Sequence, residues 1–257
     1  MPQIKIILNG RPLTVTLDEP LSTLEVLREK LGITSLKCGC APQAICGCCT
    51  ILINGKATKA CTRPFAKLNN ATIVTLEGLD AHQRQVLSRA FVTKGGLQCG
   101  FCTPGIAMRA VELLDKTPHP TDEQIKKALA THLCRCTGYT KIIASIREAS
   151  RHWNSRLTPG PAGSVGRDSS TGNLCFESAS VALRPRNQDS LPSLTDDSTV
   201  GARASRYRGQ DQVLGQKPFV DDLKVPEMVH GALRLTDHAR AKVISIDTAP
   251  ALAIEGV

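Results

Sequence analysis

The sequence predicts an α+β chain. A small β-grasp sheet crossed by one helix occupies residues 1–78 and a four-helix bundle residues 79–153. A linker over 154–211 and a partial α/β segment over 212–257 follow. Three observations predict this order. Two hairpin signals flank a capped helix and a cysteine-bearing loop near the N-terminus. Four helix-length segments with identifiable start and stop residues come next. A stretch rich in Ser, Pro, Gly, Arg and Asp then runs without periodicity, the pattern of a disordered linker.

Composition narrows the function classes. Hydrophobic residues make up 41% of the 257 but aromatics only 3%, so the cores are expected to be aliphatic. The first apolar run stops at Asn9-Gly10, too soon for a secretory signal, and no run approaches the roughly 18 apolar residues of a membrane span. Eleven cysteines without a secretory signal argue for metal or cofactor ligation in a reducing, cytoplasmic setting and not for a disulfide framework. The net charge of +9 is carried in good part by arginines of the linker, with no basic stripe interleaved with aromatics, so neither nucleic acid nor a membrane is expected as partner.

In the first domain, residues 4–8 and 13–17 are β-rich runs around Asn9-Gly10-Arg11-Pro12. Ser22-Thr23-Leu24-Glu25 is a capping box opening a helix with Leu24, Leu27 and Leu31 on one face, stopped at Gly32. A cysteine loop over residues 37–49 precedes a second hairpin, 50–53 and 57–60 around Asn54-Gly55, which delivers Cys61 on a strand; residues 73–76 supply the closing strand. In the second domain Asp80 caps a helix ended by Gly95-Gly96, and Thr103 as N-cap with Pro104 behind it starts another. Thr121 with Gln124 forms a further capping box, and a fourth helix runs from about 140 to 153 with Ile142, Ile143, Ile146 and Ala149 inward. His119 and His132 read as solvated or cap-like residues without a ligand role.

The cysteines carry the chemistry. Cys40, Cys46 and Cys49 share one loop and Cys61 comes later, the plant-type arrangement for a [2Fe–2S] cluster. Gly39 and Gly47 let the loop bend so that amide N–H groups can face the sulfurs. Downstream, Cys99 and Cys102 precede one helix while Cys134 and Cys136 sit between two others, so helix ends bring four thiols to one region. Either group alone fits zinc as well as iron. The two groups in this order favour iron, with a structural zinc protein as the alternative.

The segments Lys37-Cys38-Gly39-Cys40, Cys46-Gly47-Cys48-Cys49-Thr50, Gln98-Cys99-Gly100-Phe101-Cys102-Thr103-Pro104-Gly105 and Cys134-Arg135-Cys136-Thr137-Gly138-Tyr139 together resemble the iron–sulfur portion of the molybdenum hydroxylases, the xanthine dehydrogenase and aldehyde oxidase family. One departure is visible: five residues separate Cys40 from Cys46 where that family has four, so Cys38 is an alternative first ligand. By resemblance the first ligand is Cys40, which follows Lys-x-Gly as the family ligand does, and Cys38 and Cys48 are left as bystanders. The resemblance implies an oxidoreductase component with two [2Fe–2S] clusters. Electrons would pass from a molybdopterin site through the Cys99/Cys102/Cys134/Cys136 cluster and the Cys40/Cys46/Cys49/Cys61 cluster to flavin (FAD on a partner) or another acceptor. It also implies that Gln98 hydrogen-bonds the pterin and that Cys136 lies beside it. The implied partner is a molybdenum-binding large subunit or domain. The implied substrates are a purine, with xanthine first, another N-heterocycle or an aldehyde. A stand-alone ferredoxin-like carrier is the competing reading.

Residues 214–222 and 230–247 resemble the start of that family's molybdenum-binding portion, with strands expected over 230–235 and 242–247 and a short helix over 248–253. No catalytic residue is expected within the chain, which should be inactive alone and completed by further protein.

Overall fold

The structure is a computed structural model describing residues 2–154, 206–229, 231 and 235–254. The cysteine-rich part is a mixed α+β arrangement of one sheet and several helices. Strands β1 (Gln3–Leu8), β2 (Arg11–Thr16), β3 (Thr50–Ile53), β4 (Lys56–Lys59) and β5 (Ala71–Val74) form one sheet in the order β2-β1-β5-β3-β4. β1 and β5 run parallel and the other neighbours antiparallel. Both tight turns use the positive φ that a twisted hairpin demands: Asn9 and Gly10 at 51° and 81°, Asn54 and Gly55 at 49° and 75°. Alternation along β1 sends Ile4, Ile6 and Leu8 inward, where they meet Leu24, Leu27, Phe65 and Ile73.

Helix α1 (Thr23–Glu25) opens on the expected box. The Ser22 hydroxyl accepts from Glu25 N–H at 3.3 Å and the Glu25 carboxylate accepts from Ser22 N–H at 2.8 Å. The helix then widens into a π-type turn over Val26–Lys30, where Leu31 N–H bonds the Val26 carbonyl five residues back. Arg28 is buried in that turn, and Leu31 is half-buried instead of fully inward.

Helices α2 (Ala81–Lys94), α3 (Thr103–Lys116), α4 (Asp122–Leu129) and α5 (Thr140–His152) form the second lobe. Asp80 caps α2 and Gly95, at φ 68°, ends it. Cys102, already in helical geometry, takes the N-cap position of α3 without a side-chain bond, so Thr103 is the first helical residue and not the cap. Phe91, Leu87, Ile106, Leu114, Ile125 and Ile146 are fully buried in this core, each contributing about 1.5–3 kcal/mol. Leu52 and Leu76 from the sheet side belong to the same core, so the two lobes share apolar surface.

Beyond residue 205 the structure departs from expectation. Residues 206–211 fold as part of the body and not as linker: α6 (Gly209–Val213) packs on α2 and α3 and buries Val213 completely in their core. Cys175 and the rest of the expected linker, residues 155–205, lie outside the described residues, as do His230 and residues 232–234 of the first expected strand. Residues 242–247 form no strand. Val243, Ile244 and Ile246 are 72, 94 and 76% exposed, because no described segment lies beside them to complete a ladder or cover their apolar face. The short helix appears as α7 (Ala249–Leu252). Among the described residues no helix is long and apolar enough to cross a membrane.

Candidate metal centres

In the sheet lobe the loop between α1 and β3 wraps around sulfur. Cys40 Sγ accepts from the N–H groups of Ile45 and Cys46, both at 3.3 Å, and Cys46 Sγ accepts from Cys48 N–H at 3.5 Å. The loop can approach this closely because Gly39 leaves space; a Cβ there would stand 3.1 Å from Cys46 Sγ and 3.2 Å from the Phe101 ring. Burial would raise the Cys40 thiol, but the Cys46 and Ile45 N–H groups outweigh it and hold Cys40 below the ordinary thiol range. Cys49 is pushed up to about 12, chiefly by burial, and its thiol contacts that of Cys61. Cys61 arrives on a single 3-10 turn, Ala60–Thr62, and not on a strand; Ala60 N–H bonds the Cys49 carbonyl and aims the turn at Cys49.

In the helical lobe Cys136 and Cys99 place their sulfurs 3.6 Å apart, both exposed. Cys102 contacts Cys134 behind them and is raised by burial. Burial also opposes ionisation of Cys134, yet the Thr137 hydroxyl, 3.1 Å from its sulfur, and the N–H groups of Cys136 and Thr137 bring it below the ordinary value. Thus the eight cysteines meet two by two: 40 with 46, 49 with 61, 102 with 134, and 99 with 136. No three His, Cys, Asp or Glu side chains among the described residues are gathered to hold a single ion. Pairs of thiols side by side are the donor set of a dinuclear cluster, two sulfurs to each iron, whereas a structural zinc takes four donors at one point. Two positive irons would convert buried thiols, reluctant to ionise alone, into thiolates.

The other two cysteines of the loop behave differently. Cys48 is buried and raised by burial; its thiol reaches the Cys46 sulfur and carbonyl from inside the core, and its backbone packs against Gly105 of α3. Cys38 is exposed.

Several residues hold these centres through contacts that the sequence did not mark. Tyr139, in left-handed geometry at φ 67°, accepts from Cys134 N–H and donates to the His132 carbonyl, each at 2.9 Å, closing the turn that presents Cys134. His132 is 3% exposed, against the expectation of a solvated residue. Its Nε2 lies 3.0 Å from Thr50 Oγ1, and Thr50 in turn donates to the Gly47 carbonyl at 2.8 Å. Burial, then the charges of Arg109 and Lys59, lower His132 to about 4, which keeps it neutral. The sheet lobe covers His132, a contact that no local pattern announces. Leu133 N–H donates to the Cys46 carbonyl at 2.9 Å, so the two cysteine loops touch. Gln98 is exposed and donates to the Cys136 carbonyl at 2.8 Å, which ties it to the outer thiol pair.

Comparison with known proteins agrees with this chemistry. A family described as a [2Fe-2S] binding domain matches residues 75–147. The chain is 42% identical over 147 residues to the nicotinate dehydrogenase small FeS subunit of Eubacterium barkeri, covering 57% of this chain and 93% of that protein. It is 28% identical along its whole length to the aldehyde oxidoreductase of Megalodesulfovibrio gigas, of which it spans 26%. A solved structure of the aldehyde oxidoreductase from Desulfovibrio gigas superposes with a TM-score of 0.65 at 26% identity, covering 86% of this chain and 22% of that one. With a relative matched over nearly its full length, the chain belongs to the family of iron–sulfur, electron-transferring subunits and domains of the molybdenum hydroxylases.

Proposed function

We propose that Cys40, Cys46, Cys49 and Cys61 hold one [2Fe–2S] cluster on a β-grasp domain, residues 1–78, and that Cys99, Cys102, Cys134 and Cys136 hold a second on the helical domain, residues 79–153. When bound, such clusters take up and release one electron at a time. The pairwise meeting of the thiols carries this reading. Cys40 is favoured over Cys38 as first ligand because its sulfur, and not that of Cys38, contacts Cys46 and accepts two backbone N–H groups.

The order of transfer follows from exposure. Cys99 and Cys136 lie at the surface with Gln98 beside them, which suits the helical centre to face the molybdopterin of a partner subunit or further domain. The sheet-lobe centre would pass electrons on to a flavin-bearing partner or another acceptor. The substrate belongs to the molybdenum-binding partner, and the named relatives point to an N-heterocycle or an aldehyde. Nicotinate-like heterocycles stand beside xanthine on this ground.

The test is spectroscopic. The purified chain should be reddish-brown, contain iron and acid-labile sulfide in equal amounts, and show two EPR signals on reduction. Cys136→Ser should remove one signal and Cys40→Ser the other, with Cys38→Ser retaining both. A colourless protein carrying zinc would end the proposal.

A further inference from the structure

Residues 206–222 lie after both cysteine lobes in sequence, yet they touch both in space. At one end Gln212, 2% exposed, donates from Nε2 to the Cys99 carbonyl at 3.0 Å. Arg206 holds the Gln212 amide oxygen at 2.9 Å and donates to the Gln98 carbonyl. Gly100, at φ 85°, lets this approach happen, since a Cβ there would stand 3.0 Å from Gln212 Cβ. At the other end Asp222 is enclosed. One carboxylate oxygen accepts from Arg28 Nη1 at 2.9 Å, and the other from Lys37 Nζ at 2.5 Å and from Phe219 N–H at 2.9 Å. The side chains of Asp222, Lys37 and Arg28 are 2, 1 and 5% exposed. Phe219 stands edge-on to Phe101 with centroids 5.2 Å apart, and Lys37 Nζ lies 5.0 Å from the Phe219 centroid. Between the two ends, Gly215 passes so close to Ser35 that a Cβ would stand 2.6 Å from it.

We propose that Arg28 and Lys37 form a carboxylate-recognition pocket on the cysteine unit, that the aromatic–acidic segment Phe219–Asp222 is its occupant, and that residues 206–222 thereby clamp the Cys99 loop. Ion pairs on a surface are nearly neutral in energy, but this one is out of water on both sides. Removing the carboxylate leaves Lys37 buried without its hydrogen-bonded anion, while Arg28 keeps Asp221, the Leu36 carbonyl and a 3.7 Å pair with Glu29. The pocket is therefore selective: it accepts a carboxylate on a short stem next to an aromatic ring, and rejects an amide or an apolar side chain. Through it, whatever follows residue 222 is held at a fixed distance from Cys99 and Cys136. Gln212 is a positioning residue in this arrangement, fixing the carbonyl of a thiol-bearing residue without touching the sulfur.

Hydrogen exchange on the full iron-loaded chain tests the pocket. Asp222→Ala should speed amide exchange over residues 209–223 by at least about tenfold, with the strands and α2 to α5 still protected. Asp221→Ala, whose side chain is 63% exposed, should change it less than threefold. Unchanged protection in Asp222→Ala, or an equal effect of Asp221→Ala, would overturn the proposal. Should Asp222→Ala not fold, Asp222→Asn makes the same comparison at nearly constant shape. Gln212→Ala reads the other end: exchange at residues 100–103 should rise and the EPR signal lost in Cys136→Ser should shift, while the second signal stays fixed. No change at either readout would overturn the clamp. The consequence for EPR rests on the iron–sulfur reading, whereas the exchange contrast does not, so the two can fail separately.

Discussion

Leu133 N–H and the Cys46 carbonyl, 2.9 Å apart, form a hydrogen bond between the two cysteine loops. One partner is itself a proposed ligand and the other immediately precedes one, Cys134. The lobes are thus joined at their centres as well as through shared core residues, and the closeness depends on glycine. A Cβ on Gly105 would collide with the Gly47 carbonyl and stand 2.9 Å from Cys48 Cα.

Gly105→Ala should therefore push the lobes apart. Because the obstacle is backbone, relief needs movement of a whole loop, and overpacking of this kind costs about 1–3 kcal/mol. The denaturation midpoint of the chain should fall accordingly, and magnetic coupling between the two reduced centres should weaken. An unchanged midpoint would show that the loops are not in contact in solution.

Thr137 offers a cleaner electronic test. Its hydroxyl is 3.1 Å from Cys134 Sγ and lowers the pKa of that thiol. A hydrogen bond to sulfur stabilises the more negative, reduced state, so Thr137→Val should lower the reduction potential of the helical centre. The expected shift is on the order of 50 mV, close to tenfold in a one-electron equilibrium. The potential of the sheet-lobe centre, measured in the same titration, should not move.

Acid sensitivity should have a contribution from Glu112. Burial opposes its ionisation, but Lys116 at 2.6 Å, Arg109, and the Ala57 N–H of the sheet lobe together place it below the ordinary value of 4.5. A carboxylate lowered on folding stabilises the protein fully above the unfolded value and loses that contribution as the pH falls through the folded one. The stability difference between wild type and Glu112→Gln should be constant from pH 7 down to about 4.5 and shrink below it. Paired denaturation curves measure it, since loss of metal in acid is common to both. A difference that grew on acidification would reverse the assignment.

What could be read in the sequence was local. Asn9-Gly10 and Asn54-Gly55 made their hairpins, and the boxes at Ser22 and Thr121 and the cap at Asp80 formed as chemistry requires. The cysteines paired within the two expected groups. What was not legible depended on surfaces brought from elsewhere. His132 follows the short helix α4 and reads as solvated until Thr50 and Gly47 cover it. Residues 206–211 read as the end of a linker and 212–222 as the start of a further segment, and neither reading announced that they pack against Arg28, Lys37 and the Cys99 loop. Residues 242–247 show the opposite failure, a strand-like alternation with no neighbour to pair with among the described residues.

The thiol pairs differ in how far they stand from water. Cys49 and Cys61 are 2 and 5% exposed, whereas Cys99 and Cys136 lie open on the rim of the helical lobe. Chelators and peroxide reach a metal at the rim first, and oxidation follows access. An ageing sample will therefore not bleach evenly. With the two proposed clusters in place, it should drift toward molecules intact in one lobe and stripped in the other, and a low iron count would measure the age of the preparation before it measured the number of sites.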